Sequence, residues 1–471
     1  MNVKIISLFL AVIICFGSFI GCNDDTKPTI SPNKENAKTT KFPWIPEIEQ
    51  PEYAEYLAEG ANYPSMSKYP SSERGTDAQD KEYEKWNADK KKQRAYYGSW
   101  KGLDDFYIST ISEFLSDSDG ENLVYSPVNV YMALAMLAEI TDGESRQQIL
   151  SLLGANSLEA LRTQAHGVWN ANYSDDGAVT SILANSVWLS HGLDPNNTTL
   201  KTLADKYYAS SFVGEMGSEE LNQALRAWIN EQTGGLLENM TDGIELNANT
   251  LIALASTVYF QAKWKDEFRE SNTSEKTFHA PTGDVTAEFM HRTDTHGKYY
   301  FGENFSATSK SLEGSGKMWF ILPDEDVTAD ELLSDTETLE FLTSLDKWEN
   351  KTTIKVNLAV PKFDVSSKTD LAEGLKNLGV TDCFDGKKAS FVPLLTMDAM
   401  DGDTYVSSVE HGVRVAIDEE GVTAAAYTVI PVAGDAMPPE EEVDFILDRP
   451  FIFVITSADG TPMFIGVVNN P

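Results

Sequence analysis

The side chains that could support catalysis or bind a metal are few and scattered. The six histidines are His166, His191, His279, His291, His296 and His411. His291 and His296 lie five residues apart in a polar stretch, which is a poor spacing for two metal ligands on a helix. The sequence contains no HExxH, GxSxG, GxxxxGK[ST] or GxGxxG motif. We therefore expect a protein that is not an enzyme and that uses no cofactor and no metal.

The cysteines exclude further kinds of site. The chain has three, Cys15, Cys22 and Cys383, and the first two lie in an apolar N-terminal segment. The rest of the chain thus keeps at most one thiol. That number excludes both a disulfide framework and a metal site built from cysteines.

The charge balance limits the partners. The 471 residues include 37 Lys+Arg and 73 Asp+Glu, which give a net charge of −36. Such an acidic chain is a poor ligand for nucleic acid, since Lys and Arg must neutralise the phosphates. It is equally unsuited to bind an anionic membrane by charge. The 41% of hydrophobic residues is enough for a large packed core.

Residues 1–21 have the features of a signal peptide. Lys4 precedes the apolar stretch Ile5–Ile14, which is too short to span a bilayer comfortably. The segment from Phe19 to Cys22 resembles a bacterial lipobox, with Phe where Leu is usual, and this resemblance implies that Cys22 is acylated. The acidic residues that follow resemble the surface-export signal of some Gram-negative lipoproteins. We expect a protein anchored by lipid to the bacterial outer membrane or cell surface; the alternative is an ordinary cleaved signal with an incidental cysteine.

Residues 22–97 differ from the rest of the chain. They hold seven prolines and little apolar periodicity, although the charged stretch 80–95 could form one helix. We expect a flexible tether with no activity of its own. Its removal should therefore leave a folded and equally active body.

Residues 98–471 form one unit with no Pro/Ser-rich break and no internal repeat. Ser126-Pro127 is typical of a helix start, with Ser as N-cap and Pro at the first helical position. The following stretch Val128–Ala138 is apolar nearly all round, which predicts a central, buried helix. Residues Glu144–Leu153 predict a short amphipathic helix that ends at Gly154.

Long strands are predicted mainly in the second half of the chain. Leu251–Phe260 is a continuous apolar run whose end favours a strand buried on both faces. Thr353–Val360 alternates, as do residues 413–417. Phe451–Thr456 and Met463–Val468 flank a turn and predict a C-terminal hairpin. Helices first and strands later indicate the α+β class.

Residues 419–445 lie between two predicted strands and are too long for a hairpin loop. The even positions from 422 to 432 nevertheless carry only small or β-branched residues, as in a strand with one buried face. We infer a loop that can become a strand. The alternative is a plain mobile Ala-rich loop.

Several separated motifs of residues 98–471 resemble the serpin family in order and spacing. They are residues 122–134 (NLVYSPVNVYMAL), 257–264 (TVYFQAKW), 360–363 (VPKF), 412–426 (GVRVAIDEEGVTAAA), 448–451 (DRPF) and 464–471 (FIGVVNNP). The resemblance implies a large mixed β-sheet with surrounding helices, smaller sheets and an exposed reactive-centre loop.

The same resemblance implies a function. A serine protease attacks the loop and forms an acyl-enzyme, the cleaved loop inserts into the main sheet as a new strand, and the protease is carried along and distorted. The protein would thus be a suicide substrate. We also expect it to be a monomer. The alternative is a non-inhibitory surface binding protein with the same fold.

The resemblance assigns a hinge to this loop. The hinge residues are Glu419, Glu420, Gly421, Val422, Thr423, Ala424, Ala425 and Ala426. Two later residues fit a central strand less well: Tyr427 is large, and Pro431 lacks an N–H.

A buried polar cluster is also implied. His411 aligns with the buried histidine of the family, and Asn129 and Ser256 stand where Ser and Asn are usual, as if exchanged. With Ser126 they are expected to form a hydrogen-bonded cluster that lets the sheet open.

The family spacing places the reactive bond in a short window. Counting from Gly421 gives Asp435 as the residue before the cut, and counting back from Pro450 gives residues nearer Pro439. Pro after the cut hinders most proteases, which leaves Asp435–Ala436 and Ala436–Met437. Hinge distance favours Asp435–Ala436, but we favour Ala436–Met437 and an elastase- or subtilisin-like target, whose pocket takes small apolar residues. No Lys or Arg occurs between Arg414 and Arg449, which disfavours trypsin-like targets on either count.

Overall fold

The computed structural model describes residues 8–18, 52–72, 76–233, 244–395, 404–419, 421 and 441–471, with residues 8–18 as backbone. In that part of the chain the helices are α1 Asp77–Arg94, α2 Asp104–Leu115, α3 Pro127–Ile140, α4 Gly143–Leu152, α5 Leu158–Asn172, α6 Asn197–Tyr207, α7 Glu219–Gln232, α8 Ala329–Ser334, α9 Thr336–Ser344 and α10 Ala372–Asn377. None of these helices is long and apolar enough to cross a membrane.

Two strands of the described residues precede α1, and the others lie between and after the helices. They are β1 Leu8–Ser18, β2 Leu57–Glu59, β3 Leu123–Tyr125, β4 Ser174–Asp175, β5 Val179–Ser190, β6 Ala209–Gly214, β7 Thr250–Ala262, β8 Thr273–Ala280, β9 Gly283–Phe301, β10 Phe305–Ser311, β11 Lys317–Pro323, β12 Lys351–Pro361, β13 Phe363–Asp370, β14 Thr404–Ile417, β15 Glu442–Ile446, β16 Phe451–Thr456 and β17 Pro462–Val468.

These strands form two sheets. The main sheet has the order β13-β14-β1-β7-β5-β6-β2, with β4 paired to β5. The second sheet has the order β15-β12-β9-β10-β11-β16-β17-β3, with β8 paired to β9. We expected several smaller sheets here. In the described residues they are one, because the 19 residues of β9 pair in turn with β8, β12 and β10.

The central helix α3 lies against both sheets, on β7 and on β17. All of its residues from Pro127 to Ile140 are buried, as the apolar sequence predicts. Pro127 stands at the first helical position, but the Ser126 side chain forms no capping hydrogen bond. The helix is therefore held by packing on all sides rather than by its cap.

The predicted strand Leu251–Phe260 lies within β7, and every one of those residues is buried. Helices α3 and α7 both pack on β7, and its burial on both faces is why the run is apolar without alternation. The strand 353–360 lies in β12 and buries every second residue from Ile354 to Val360. The C-terminal hairpin is β16 and β17.

Residues 52–97 pack against the body, which differs from the expected tether. Strand β2 pairs with β6 at the edge of the main sheet. The Tyr53 ring lies edge-on to Phe212 and its hydroxyl donates to Glu231 on α7. In α1, Lys90 forms an ion pair of 2.7 Å with Asp176, a carboxylate that is 1% exposed. The sequence of this segment did not predict these contacts, because each depends on a partner that is distant in the sequence.

Candidate functional site

The central strand position of the main sheet lies between β7 and β14, and here β1 occupies it. Strand β1 is antiparallel to both neighbours, with Phe9 opposite Arg414 and Leu8 opposite Phe260. Eleven residues in this direction span about 35 Å. The gap between β7 and β14 thus accepts a full-length strand that donates and accepts hydrogen bonds on both edges.

A chain that turned back after β14 would enter this position in the same direction as β1, because it too would run antiparallel to β14. The turn begins beyond Ile417, where β14 ends. The indole N–H of Trp264 donates to the carbonyl of Asp418 at 2.9 Å, and the N–H of Phe268 donates to the carbonyl of Glu419 at 3.0 Å. These two bonds fix the first residues of the hinge to the segment that follows β7.

Gly421 requires a glycine for two reasons. Its φ of +85° lies in the left-handed region, which residues with a side chain rarely adopt. A Cβ at this position would also lie 2.8 Å from the Cα of Lys263, so a side chain would displace backbone.

Glu419 is held by two partners. Its carboxylate lies 2.8 Å from Lys362 Nζ and accepts a hydrogen bond of 2.6 Å from the Thr273 hydroxyl. Burial by itself would raise the pKa of Glu419, but the hydrogen bonds from Lys362 and Thr273 outweigh it and lower the pKa. Lys362 stands in the VPKF motif, which was read as a family signature; that it pairs with the hinge was not predicted.

The other expected hinge and loop residues lie outside the described residues. These are Glu420, Val422, Thr423, Ala424, Ala425, Ala426 and the reactive-bond residues Asp435, Ala436 and Met437. Cys22, the expected lipidation site, also lies outside them.

Two members of the expected polar cluster meet beneath β7. Asn129 on α3 donates through Nδ2 to the carbonyl of Ser256 at 3.1 Å, and its Oδ1 contacts the Ser256 hydroxyl. That hydroxyl also lies 2.7 Å from Oδ1 of Asn185 on β5. Asn185 was missed from the sequence, although a buried Asn inside the apolar strand VTSILANSVWLS is a signal that could have found it.

The other two members meet beneath β14. The backbone N–H of Ser126 donates to Nε2 of His411 at 3.3 Å, and the Tyr125 ring lies 5.3 Å from the imidazole. Neither His411 Nδ1 nor the Ser126 hydroxyl has a hydrogen-bond partner among the described residues. Burial lowers the pKa of His411 to about 3, so the imidazole is neutral.

The two pairs are in one row across the sheet. His411, Val12, Ser256 and Asn185 are successive register partners on β14, β1, β7 and β5. The strand at the central position therefore separates His411 from Ser256, and the single cluster expected from the sequence is two pairs here.

The described residues contain no group of three His, Cys, Asp or Glu side chains placed to bind a metal ion. The site consists of a central strand position filled by β1, the first hinge residues fixed beside it, and polar contacts beneath it.

Comparison with known proteins identifies the class. Residues 101–471 match the family described as Serpin (serine protease inhibitor). Serpin-ZX of Arabidopsis thaliana is 30% identical over 371 residues, which cover 75% of this chain and 93% of that protein. Plasminogen activator inhibitor 1 of Bos taurus is 28% identical over 78% of this chain and 91% of its own length.

Solved structures show the same fold. The thermophilic serpin tengpin in its native state superposes with a TM-score of 0.66 and 25% identity, over 86% of this chain and 98% of that one. Human thyroxine-binding globulin superposes with a TM-score of 0.68 and 21% identity, over 80% and 99%. The chain belongs to the serpin family, whose members are generally protease inhibitors and not enzymes.

Proposed function

We propose that this protein inhibits a serine protease as a suicide substrate, by inserting its cleaved reactive loop between β7 and β14. The observation that carries the proposal is the position that β1 occupies. It accepts a strand antiparallel to both neighbours, and it begins beside Asp418 and the first hinge residue, Glu419.

The loop has the length and the residues for this position. Fourteen residues lie between Gly421 and Ala436, and β1 fills the strand position with eleven. The small residues from Val422 to Ala426 suit a strand that has helices on one face, while Tyr427 and Pro431 would slow its insertion without blocking it.

The target we propose is an elastase- or subtilisin-like protease, cutting at Ala436–Met437 and, as the second choice, at Asp435–Ala436. Ala436 fits a pocket that takes small apolar side chains. Asp435 would need a basic pocket. A trypsin-like target, with its acidic pocket, would need a Lys or Arg that this loop lacks.

We further propose that residues 1–21 are removed during export and that Cys22 then carries a lipid anchor at the bacterial outer membrane or cell surface. Removal of this segment would take away β1 and leave the central position free. Residues 8–18 would then form a strand in the uncleaved chain and be absent from the mature protein. Lipid chains would supply the membrane affinity that an acidic body cannot.

The alternative function is that of a surface binding protein that does not inhibit. The misfit residues Tyr427 and Pro431 favour it. A serpin fold also serves thyroxine-binding globulin, which is solved in complex with thyroxine. In this case the loop would be cut without insertion.

The test is to mix residues 22–471 with elastase, subtilisin, an Asp-specific protease and trypsin, and to look for a complex that survives SDS. We expect a complex with elastase or subtilisin. Mass spectrometry of the released C-terminal fragment should give a start at Met437. A start at Ala436 would support the second bond, and a start outside residues 435–438 would refute both.

A matched pair of variants tests which of the two bonds is the reactive bond. Ala436→Arg should give a complex with trypsin, and Asp435→Arg should do so only if Asp435–Ala436 is the reactive bond. If every protease merely nicks the loop and leaves free, the binding-protein alternative is supported.

A further inference from the structure

Lys310 on β10 carries a buried amine that lies close to two aromatic residues. The residue is 8% exposed, and its Nζ lies 4.8 Å from the Phe268 ring centroid and 5.9 Å from that of Trp264. The two rings meet edge to face at 5.7 Å, so the ammonium group contacts both members of one aromatic pair. Contacts of this kind attract a cation to the ring face.

The same two aromatic residues hold the hinge. Trp264 donates its indole N–H to the Asp418 carbonyl, and Phe268 donates its backbone N–H to the Glu419 carbonyl. Next to them the backbone of β10 is also tied to this segment, because the N–H of Lys265 donates to the carbonyl of Ser311 at 3.0 Å. A change at Lys310 therefore reaches the hinge through one layer of side chains.

We propose that Lys310 is a positioning residue for the hinge, and that protonation of its amine loosens the attachment of Asp418 and Glu419 to Trp264 and Phe268. Its importance for inhibition rests on the proposed function, but the effect on the hinge itself does not.

The charged groups around Lys310 do not neutralise it. On β9, Arg292 disfavours its charged form and Asp294 favours it; on the segment after β7, Asp266 favours it, acting through space and not through a hydrogen bond. Asp266 is at the same time 3.6 Å from Arg292. On β11 the register partner is the apolar Met318.

On the hinge, the carboxylate of Glu419 is already paired with Lys362 and Thr273, so it does not neutralise Lys310. Burial, the largest effect, consequently lowers the pKa of Lys310 from 10.5 to about 7. The contacts with the two rings stabilise the charged amine by less than burial destabilises it.

The direction of the pH effect follows from this. The proposal requires that detachment of the hinge lets water reach Lys310 through the Trp264 and Phe268 side chains. Its pKa would then return toward 10.5, so that detachment takes up a proton between pH 7 and 10.5. Detachment is then easiest below pH 7. Above pH 7 it becomes less favourable by up to about tenfold per pH unit.

The test is hydrogen–deuterium exchange of the peptide that contains the Phe268 amide, in the wild type, Lys310→Met and Lys310→Arg, at pH 6, 7, 8 and 9. The ratio of wild type to Lys310→Met at each pH cancels the intrinsic chemistry of exchange. We expect this ratio to be constant below pH 7 and to fall severalfold or more by pH 9. Lys310→Arg stays charged throughout, so its ratio to Lys310→Met should be high and independent of pH.

A wild-type ratio that does not change with pH would overturn the proposal. Should Lys310→Met fail to fold, the ratio of wild type to Lys310→Arg decides: it should be close to one at pH 6 and fall by pH 9, and a flat ratio refutes the role. Inhibition is measured separately as SDS-stable complex. If no variant inhibits any protease but the exchange ratio changes as expected, the proposed function fails and the role of Lys310 stands.

Discussion

Lys362 Nζ lies 2.8 Å from the carboxylate of Glu419, and this ion pair joins the connection between β12 and β13 to the first residues of the hinge. The Glu419 side chain is 10% exposed and the Lys362 side chain 28%. The pair is thus shielded from solvent more than the surface pairs of the same chain. Together with the hydrogen bonds from Trp264 and Phe268, it restrains where the loop leaves β14.

We predict that Lys362→Met lowers the free energy of unfolding by roughly 1–3 kcal/mol, because it leaves a largely buried carboxylate without its cation. Glu419→Gln should cost less, and the double variant should show positive coupling in urea unfolding. The control is Lys355→Met, which removes the exposed partner of Glu442 and should cost at most about 1 kcal/mol. Equal effects of the two lysine variants would contradict a special role for Glu419.

The pH dependence of this pair has a definite sign. The folded-state pKa of Glu419 is below the ordinary value of 4.5, so its contribution to stability is present above pH 4.5 and is lost as the pH falls through the lowered pKa. The stability difference between wild type and Glu419→Gln should therefore shrink in urea titrations below pH 4.5.

The loop prediction concerns Ala424→Arg. At the central position Val12 is the register partner of Ser256, whose hydroxyl contacts Asn129 on α3, so alternate residues of a strand placed there face this helix. Ala424 is one of the even positions with small side chains that we assign to this face, and an unpaired charge cannot be buried there. Ala424→Arg should turn the inhibitor into a substrate, with cleavage but no SDS-stable complex.

Thr423→Arg is the matched control, since its side chain would lie on the opposite face of the strand. It should keep most of the inhibition. An unchanged stoichiometry of inhibition in Ala424→Arg would count against insertion of the loop.

Cleavage of the loop should raise the thermal stability. An inserted strand adds backbone hydrogen bonds to both β7 and β14 and buries apolar surface. Heating intact and nicked forms of residues 22–471 side by side in a calorimeter measures this. Equal unfolding temperatures would favour the binding-protein alternative.

Truncation of the N-terminal region should act in two stages. Residues 52–471 should be as stable as residues 22–471. Residues 98–471 should lose about 3 kcal/mol or more, because Tyr53 leaves its place beside Phe212 and Asp176 loses Lys90. This replaces the expectation of an inert tether.

Urea unfolding of the three chains measures the two stages. If residues 98–471 were as stable as the longest chain, the contacts of residues 52–97 would be shown to contribute nothing.

His411 should make the protein labile in acid. Its pKa is about 3 in the folded state and 6.5 when unperturbed, so stability is lost as the pH falls below 6.5, by up to about 1.4 kcal/mol per pH unit. His411→Gln should remove this component of the change in urea midpoint between pH 7 and pH 5. The exposed His296→Gln should leave it as in the wild type, and an identical pH profile for His411→Gln would contradict the burial of a neutral imidazole.

The sequence by itself was sufficient for the class of fold and for the main elements. Val128–Ala138 and Leu251–Phe260 are apolar except at Asn129, Ser256 and Thr257, and only elements buried on all sides tolerate that pattern, so they appear as α3 and β7. The alternation in residues 353–360 predicted one face of β12 for the same physical reason. Local hydrophobicity carries this information because burial is decided residue by residue.

The tertiary structure decided what depends on two distant residues. Nothing near Lys362 in the sequence points to Glu419, and nothing near Lys310 points to Trp264 and Phe268. Asn185 acquires its partner Ser256 only through the register of β5 against β7. Residues 52–97 carry polar and proline-rich sequence that predicts no core, yet Tyr53 and Lys90 find partners on the body, because a contact energy belongs to the pair and not to either residue alone.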